Sequence, residues 1–400
     1  MKKYFIIAIA AVTALAACSK NEVVKIDTPD TPIQFAVVNH LQQTKATAGL
    51  TYPTDVPFGT FAWWTSADWT GAAEDQDFVF MDNEQIVYRT LEETSAYAWA
   101  PATAYYWTKT GKITFASYSP YTADGTDKGY SEIPSYDVAK GFLFNNYTIV
   151  DATNVDLMYA NLAANCNRNT NQDGAQVTDD NNPESGFNGV PTIFNHALCQ
   201  IGFEFRAIGK KNPNVNAIKI EITDVDIKNI DNKGSFTQIP VAPATIKWAS
   251  DHTEVADYDY APTSTFELDL IESTATNVAS KTNYTALGKT RILLPQDLED
   301  DDDPTDPTAD PIATTTDQKL VVAYTIKTEF TSKLGTWATE DVVTEVRLNN
   351  GNIGAWRDNQ NITYRISINP YSLIPVTFDP AVVDWTDVFS DDINIAPLED

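Results

Sequence analysis

Apolar and polar residues alternate with a period of two along most of this chain, and that pattern restricts it to β-sheet. In the segment 217–227, Ile218, Ile220 and Ile222 fall on one side, with Lys219, Glu221 and Thr223 on the other. Successive side chains of a strand point to opposite faces, so such a segment buries one face and wets the other. The segments 113–118, 319–328, 342–348 and 362–368 repeat the pattern. Thr, Val, Ile, Tyr and Phe dominate them, whereas stretches with helical periodicity are few and short. Clusters of Asp, Asn, Gly and Pro separate them and favour turns. The expected class is all-β, built as antiparallel β-sandwich. With 400 residues the chain is long enough for two domains. The Asn-, Asp- and Gly-rich stretch 165–188 precedes a new apolar run at Val190, which sets the expected boundary: an N-terminal sandwich over 18–187 and a C-terminal one over 188–400. A second polar stretch, 298–311, holds the run Asp300, Asp301, Asp302 and Asp303 followed by three prolines, and reads as a solvated loop.

The N-terminus carries Lys2 and Lys3, an uncharged apolar run over 4–17, and then Leu15-Ala16-Ala17-Cys18. A positive start, a short apolar core and small residues before a cut describe a secretory signal peptide over 1–17. The run falls short of the roughly 20 residues that span a bilayer. A cysteine directly after two alanines resembles the bacterial lipoprotein signal, in which Cys18 is lipidated and holds the protein on the outer membrane. The formal net charge is −28. Nucleic acid is therefore excluded as a partner, since binding it takes clustered Lys and Arg. An anionic membrane surface repels such a chain too, so attachment must come through the lipid on Cys18.

No catalytic, cofactor or metal site stands out. The three histidines, His40, His196 and His252, have no second histidine or cysteine at a metal-ligand spacing. There is no Gly-x-Ser-x-Gly elbow and no phosphate-cradling glycine loop. His196 opens a strand and reads as a structural hydrogen-bonding residue. Cys199 shares a strand face with Ala197, Ile201, Phe203 and Phe205, which implies a buried free thiol; a bond to Cys166 is the alternative. Trp63, Trp64, Trp69, Trp99 and Trp107 crowd the first half. They fit either core packing or an aromatic platform for sugar rings.

Several segments together resemble the fimbrillin (Mfa-like) family of Bacteroidetes, subunits of type V pili. They are Asp156-Leu157-Met158-Tyr159-Ala160, Phe194-Asn195-His196-Ala197-Leu198, Asn232-Lys233-Gly234-Ser235-Phe236-Thr237, Leu293-Leu294-Pro295-Gln296, Asn361-Ile362-Thr363-Tyr364-Arg365-Ile366 and Val383-Asp384-Trp385. The resemblance implies two transthyretin-like sandwiches in tandem and no enzymatic activity. It also implies a surface-exposed lipoprotein that joins a fimbrium by strand exchange. A maturation protease clips the N-terminal strand, and a strand from another pilus subunit fills the groove. The other reading is a cell-surface glycan-binding lipoprotein that does not polymerise. A host or bacterial surface glycan or protein is the expected target of adhesion.

On this scheme the displaced strand is the segment 33–39, where Ile33, Phe35 and Val37 share a face. Their burial is worth about 1.5–3 kcal/mol each, so losing them is tolerable only if another strand replaces them. The C-terminus offers two donors: Ile374, Val376 and Phe378 alternate, as do Ile393 and Ile395. The family's protease cuts after arginine, yet the first arginine here is Arg89. Lys45-Ala46 occupies the expected place, which leaves cleavage after Lys45 or a permanently lipidated anchor subunit as alternatives.

Overall fold

The computed structural model describes residues 31–39, 52–91, 96–150, 155–171, 189–240, 247–250, 252–280, 283–298, 318–349, 353–371, 376–378 and 381–384. Strands account for nearly all its regular structure. In chain order they are β1 (Phe35–Asn39), β2 (Phe58–Thr65), β3 (Val79–Thr90), β4 (Tyr97–Pro101), β5 (Lys112–Ser119), β6 (Ser135–Asp137), β7 (Gly141–Thr148), β8 (Met158–Ala160) and β9 (Ala163–Cys166). Then come β10 (Val190–His196), β11 (Cys199–Gly209), β12 (Val215–Asp231), β13 (Lys233–Thr237), β14 (Trp248–Ala249), β15 (Val255–Asp259) and β16 (Phe266–Glu272). The last are β17 (Thr285–Leu293), β18 (Lys319–Phe330), β19 (Trp337–Arg347), β20 (Gln360–Ile368), β21 (Val376–Phe378) and β22 (Ala381–Asp384). The only helices among the described residues are single turns, at Ala73–Gln76, Arg168–Asn171 and Ala275–Ala279.

Three sheets form. The first runs β2-β3-β4-β1-β10-β8-β5-β9, and β2 also pairs with β5, so the path closes on itself. The second runs β19-β18-β12-β16-β11-β20-β21, with β15 on β12, β17 on β11 and β22 on β20. The third is the short set β14-β13-β7-β6. Most pairings are antiparallel, but β1–β10, β11–β16 and β11–β20 are parallel.

One apolar cluster fills the first sheet, with Ile33, Phe35, Phe58, Trp99, Phe115 and Phe194 among its members. Another fills the second sheet around Ile220, Ile222, Phe203, Tyr324, Trp356 and Tyr364. A third, including Trp63, Tyr118, Phe142, Phe144, Leu198, Phe236 and Trp248, draws on strands of all three sheets. This third cluster explains β5. Its sequence alternates, yet all but its first residue is buried. Ile113 and Phe115 face the first core, and Ala116 and Tyr118 face the third.

The boundary expected at residue 188 does not coincide with a break in strand pairing. β10 follows it yet lies in the first sheet beside β1 and β8. β7, which precedes it, pairs with β13, which follows it. A polar stretch marks a long connection, but which sheet the next strand joins depends on pairing partners far away in sequence. Side chains stitch the same junction: Trp248 Nε1 donates to the Ala197 carbonyl at 2.5 Å. Lys247 Nζ sits 2.7 Å from both Tyr159 OH and Asp358 Oδ2.

Candidate functional site

The N-terminal strand occupies a slot between β4 and β10. It runs parallel to β10 over five positions, from Phe35 opposite Val190 to Asn39 opposite Phe194. Its pairing with β4 is antiparallel and limited to Phe35 opposite Trp99. The residues just before β1 are clasped more fully. Ile33 N–H donates to the Tyr105 carbonyl at 2.8 Å, Trp107 N–H to the Thr31 carbonyl at 3.2 Å, and Val190 N–H to the Gln34 carbonyl at 2.7 Å.

Side chains fill the slot as the alternation requires. Ile33 and Phe35 are buried and Val37 is half-buried against the same cluster. The Phe35 ring meets Phe58 and Phe115 edge-on, at 5.5 Å and 5.7 Å between centroids. Edge-to-face contacts of this kind add to the burial itself. Behind them Tyr52 stacks on Phe194 at 5.1 Å and meets Trp99 at 5.2 Å. Burial of Ile33 and Phe35 contributes about 3–6 kcal/mol together. Gly189, just before β10, has φ +119°, and a Cβ there would lie 2.8 Å from the Gln34 oxygen and 3.0 Å from the Ala36 nitrogen. Only glycine lets the β10 backbone approach β1 this closely.

Among the described residues, β1 is the only strand linking β4 to β10. Taking it away breaks the closed path and leaves two strand edges facing one gap. The far wall of that gap is independently braced. Phe194, Asn195 and His196 pair with Ala160, Tyr159 and Met158, which brings together two of the segments that carried the family resemblance. His196 Nδ1 lies 2.8 Å from Asp156 Oδ2, with both side chains mostly buried. His196 therefore holds the turn into β8 against β10, the structural role expected for it.

The other residues singled out from sequence fall elsewhere. Cys18, Lys45, Ala46, Ile374, Ile393 and Ile395 lie outside the described residues, as do His40 and the run Asp300–Asp303. Val376 and Phe378 belong to β21, whose backbone pairs antiparallel with β20, Phe378 opposite Ile366 and Val376 opposite Ile368. Cys166 and Cys199 are not bonded to each other; both are buried, in separate clusters. Burial pushes the Cys199 thiol well above its ordinary pKa. Trp63, Trp99 and Trp107 are buried, while Trp64 and Trp69 are half-buried. Trp63 packs against Trp69 and Tyr136. The tryptophans thus serve the cores and do not form one exposed platform.

Sequence reasoning passed over one acidic group. Carboxylate oxygens of Asp224, Asp226 and Asp259 lie within 4.8 Å of one another. Lysines already neutralise it in part, with Lys228 Nζ 3.2 Å from Asp226 and Lys289 Nζ 3.3 Å from Asp259. Among the described residues no helix is long and apolar enough to cross a membrane.

The family model described as fimbrillin-like matches residues 44–385. The chain belongs to the fimbrillin-like family. Its fold is similar to that of a fimbrial protein from Bacteroides vulgatus, at 20% identity and a TM-score of 0.54, covering 89% of this chain and 100% of that one. A fimbrial protein from Bacteroides ovatus is also similar, at 11% identity and a TM-score of 0.32, covering 85% of this chain and 49% of that one. No curated protein matches by sequence. This fimbrillin-like chain therefore shares its fold with a fimbrial protein, and β1, at Phe35–Asn39, lies ahead of the residues that the family model matches.

Proposed function

We propose that this chain is a cell-surface fimbrial subunit or adhesin that polymerises by strand exchange. It is exported as a lipoprotein on Cys18, anchored in the outer membrane, and cut between Lys45 and Ala46 by a surface protease. The segment ahead of the cut leaves with β1, and an alternating strand from a neighbouring subunit takes its place. Such a subunit works as a structural protein and performs no catalysis.

The observation that carries this reading is the placement of β1. A strand near the N-terminus fills a groove with Ile33 and Phe35, is among the described residues the sole strand between β4 and β10, and joins the rest of the chain through the segment that holds Lys45. Loss of those contacts removes a large share of the 5–15 kcal/mol that stabilises a typical domain. Another strand must then fill the groove, as in donor-strand complementation. The C-terminal part supplies the donor. The short β21 ladder, three positions on β20, supports Ile374, Val376 and Phe378 as the donated face, with Ile393 and Ile395 as the other choice.

N-terminal sequencing of the assembled surface form tests the reading. An N-terminus at Ala46 is expected. An assembled form that still begins at lipidated Cys18 contradicts it.

A further inference from the structure

The two edges of the slot are not equally closed by β1. On the β10 side the ladder continues to Asn39. On the β4 side it stops at Phe35 opposite Trp99, although the same register would set Val37 opposite Tyr97. Among the described residues no strand pairs with β4 on this edge beyond Trp99. Backbone groups alternate in direction along an antiparallel strand. Leu91 N–H donates to the Ala96 carbonyl on the β3 side, so the N–H and carbonyl of Tyr97 point toward the β1 side. That is an open strand edge, the kind of template that recruits another strand.

The side chains beside it are apolar and uncovered. Tyr97 is 67% exposed and Tyr88 40% exposed. Their rings stack at 5.6 Å, and Tyr88 in turn meets Trp99 at 5.4 Å. An aromatic ledge thus leads from solvent down to Trp99, which stands opposite Phe35 in the ladder and shares its apolar cluster. The opposite end of the slot offers no such entry. There the bonds of Thr31 and Ile33 to Trp107 and Tyr105, with a bridge between Pro32 and Tyr106, occupy the edge.

We propose that the Tyr97 edge of β4, with the Tyr88–Tyr97 ledge, is the toehold on which the incoming strand of a second copy first docks. The proposal rests on the strand-exchange reading above and adds its starting point and direction. The incoming strand pairs with Tyr97 through its C-terminal half and lays an apolar side chain on the ledge. It then zips toward its own N-terminus, displacing Phe35 and Ile33 in turn. β10 stays paired with the resident strand until the last step, so the groove is never empty.

The test uses the chain carrying a site-specific protease sequence after Lys45, nicked there with its own N-terminal piece still bound. The probe is a fluorescent peptide of residues 31–39, which fits the slot by construction, and its uptake is followed over time. Tyr97→Ser is expected to slow uptake about tenfold, the equivalent of about 1.4 kcal/mol, with the final extent unchanged. Tyr106→Ser, at the clasped end, is expected to leave the rate within about twofold of the parent (under roughly 0.5 kcal/mol on the same scale). Equal rates for the parent and Tyr97→Ser, or equal slowing in both variants, overturn the toehold while leaving exchange intact. No uptake by the parent protein overturns strand exchange itself, and the toehold with it.

Discussion

β1 and β12 both bury alternating apolar side chains within a sheet, yet they are held in opposite ways. β12 pairs with β18 from Val215 opposite Phe330 to Lys228 opposite Lys319. Its other edge is covered by β16 at Lys219–Ile222 and by β15 between Asp226 and Asp231. β1 has five pairs on one edge and a single pair on the other. Ile33 and Phe35 fill a groove, and only the β10 edge of the strand is laddered along its length. A strand held by side chains in a slot can be copied by any strand with the same alternation. A strand held along both edges is part of the sheet's own definition. On the strand-exchange proposal, the difference separates a replaceable element from a permanent one.

The largest expected effect sets the two strands against each other directly. Phe35→Ala is expected to cost about 3–5 kcal/mol and Ile220→Ala about 2–5 kcal/mol, both measured by denaturant unfolding. Added peptide of residues 31–39 should restore the first loss by filling the slot and leave the second untouched. Rescue of both variants, or of neither, removes the distinction.

A smaller effect probes the groove without touching β1. Gly189→Ala places a methyl against Gln34 and Ala36 and is expected to cost about 1–3 kcal/mol by overpacking. Hydrogen exchange should show the loss concentrated in residues 35–39, with 215–231 unchanged.

The two thiols sharpen the comparison further. Cys166 lies in the cluster that contains Phe35, and Cys199 in the cluster that contains β12's isoleucines. Alkylation needs the thiolate, and burial raises the Cys199 pKa, so Cys199 stays unreactive at neutral pH and reacts only on unfolding. Removal of residues 31–39 should speed labelling of Cys166 and leave Cys199 protected, as read by mass spectrometry of the labelled peptides. The smallest effect is expected at Arg365→Ala, which removes a half-buried pair with Glu204 at 3.0 Å on the β11–β20 rung. Unfolding curves should move by less than about 1 kcal/mol, since such pairs are well solvated.

How much of this was legible in sequence follows from where each residue's neighbours come from. The alternation of Ile218, Ile220 and Ile222 places β12 correctly because one face is buried and the other is wet. The same alternation marks the apolar face of β1 at Ile33, Phe35 and Val37. Alternation misleads at β5, where polar residues stand on both faces, Thr114 on one and Ser117 and Ser119 on the other, and all three are buried. Thr60 and Ser117 bond each other at 2.8 Å, and Ser119 bonds Tyr52, so their hydroxyls are satisfied internally. The third sheet was invisible for a related reason. β7 and β13 find each other across a long stretch of chain, and no local pattern encodes that pairing. The parallel pairing of β1 with β10, and its early stop on β4, are likewise set by register between distant segments. Tryptophan spacing gave no guide to exposure either, since Trp63 and Trp64 are adjacent yet one is buried and its neighbour half-buried.

Native-state hydrogen exchange on β1 and β12 in one sample tests most directly whether β1 is a separable strand. If β1 leaves on its own, amides of residues 35–39 exchange through an opening smaller than global unfolding, while those of 215–231 exchange only at the global rate. That separation is expected to persist as mild denaturant is added, until global unfolding takes over. Exchange of both strands at the same global rate would mean that β1 cannot depart without unfolding the protein, and would contradict the account.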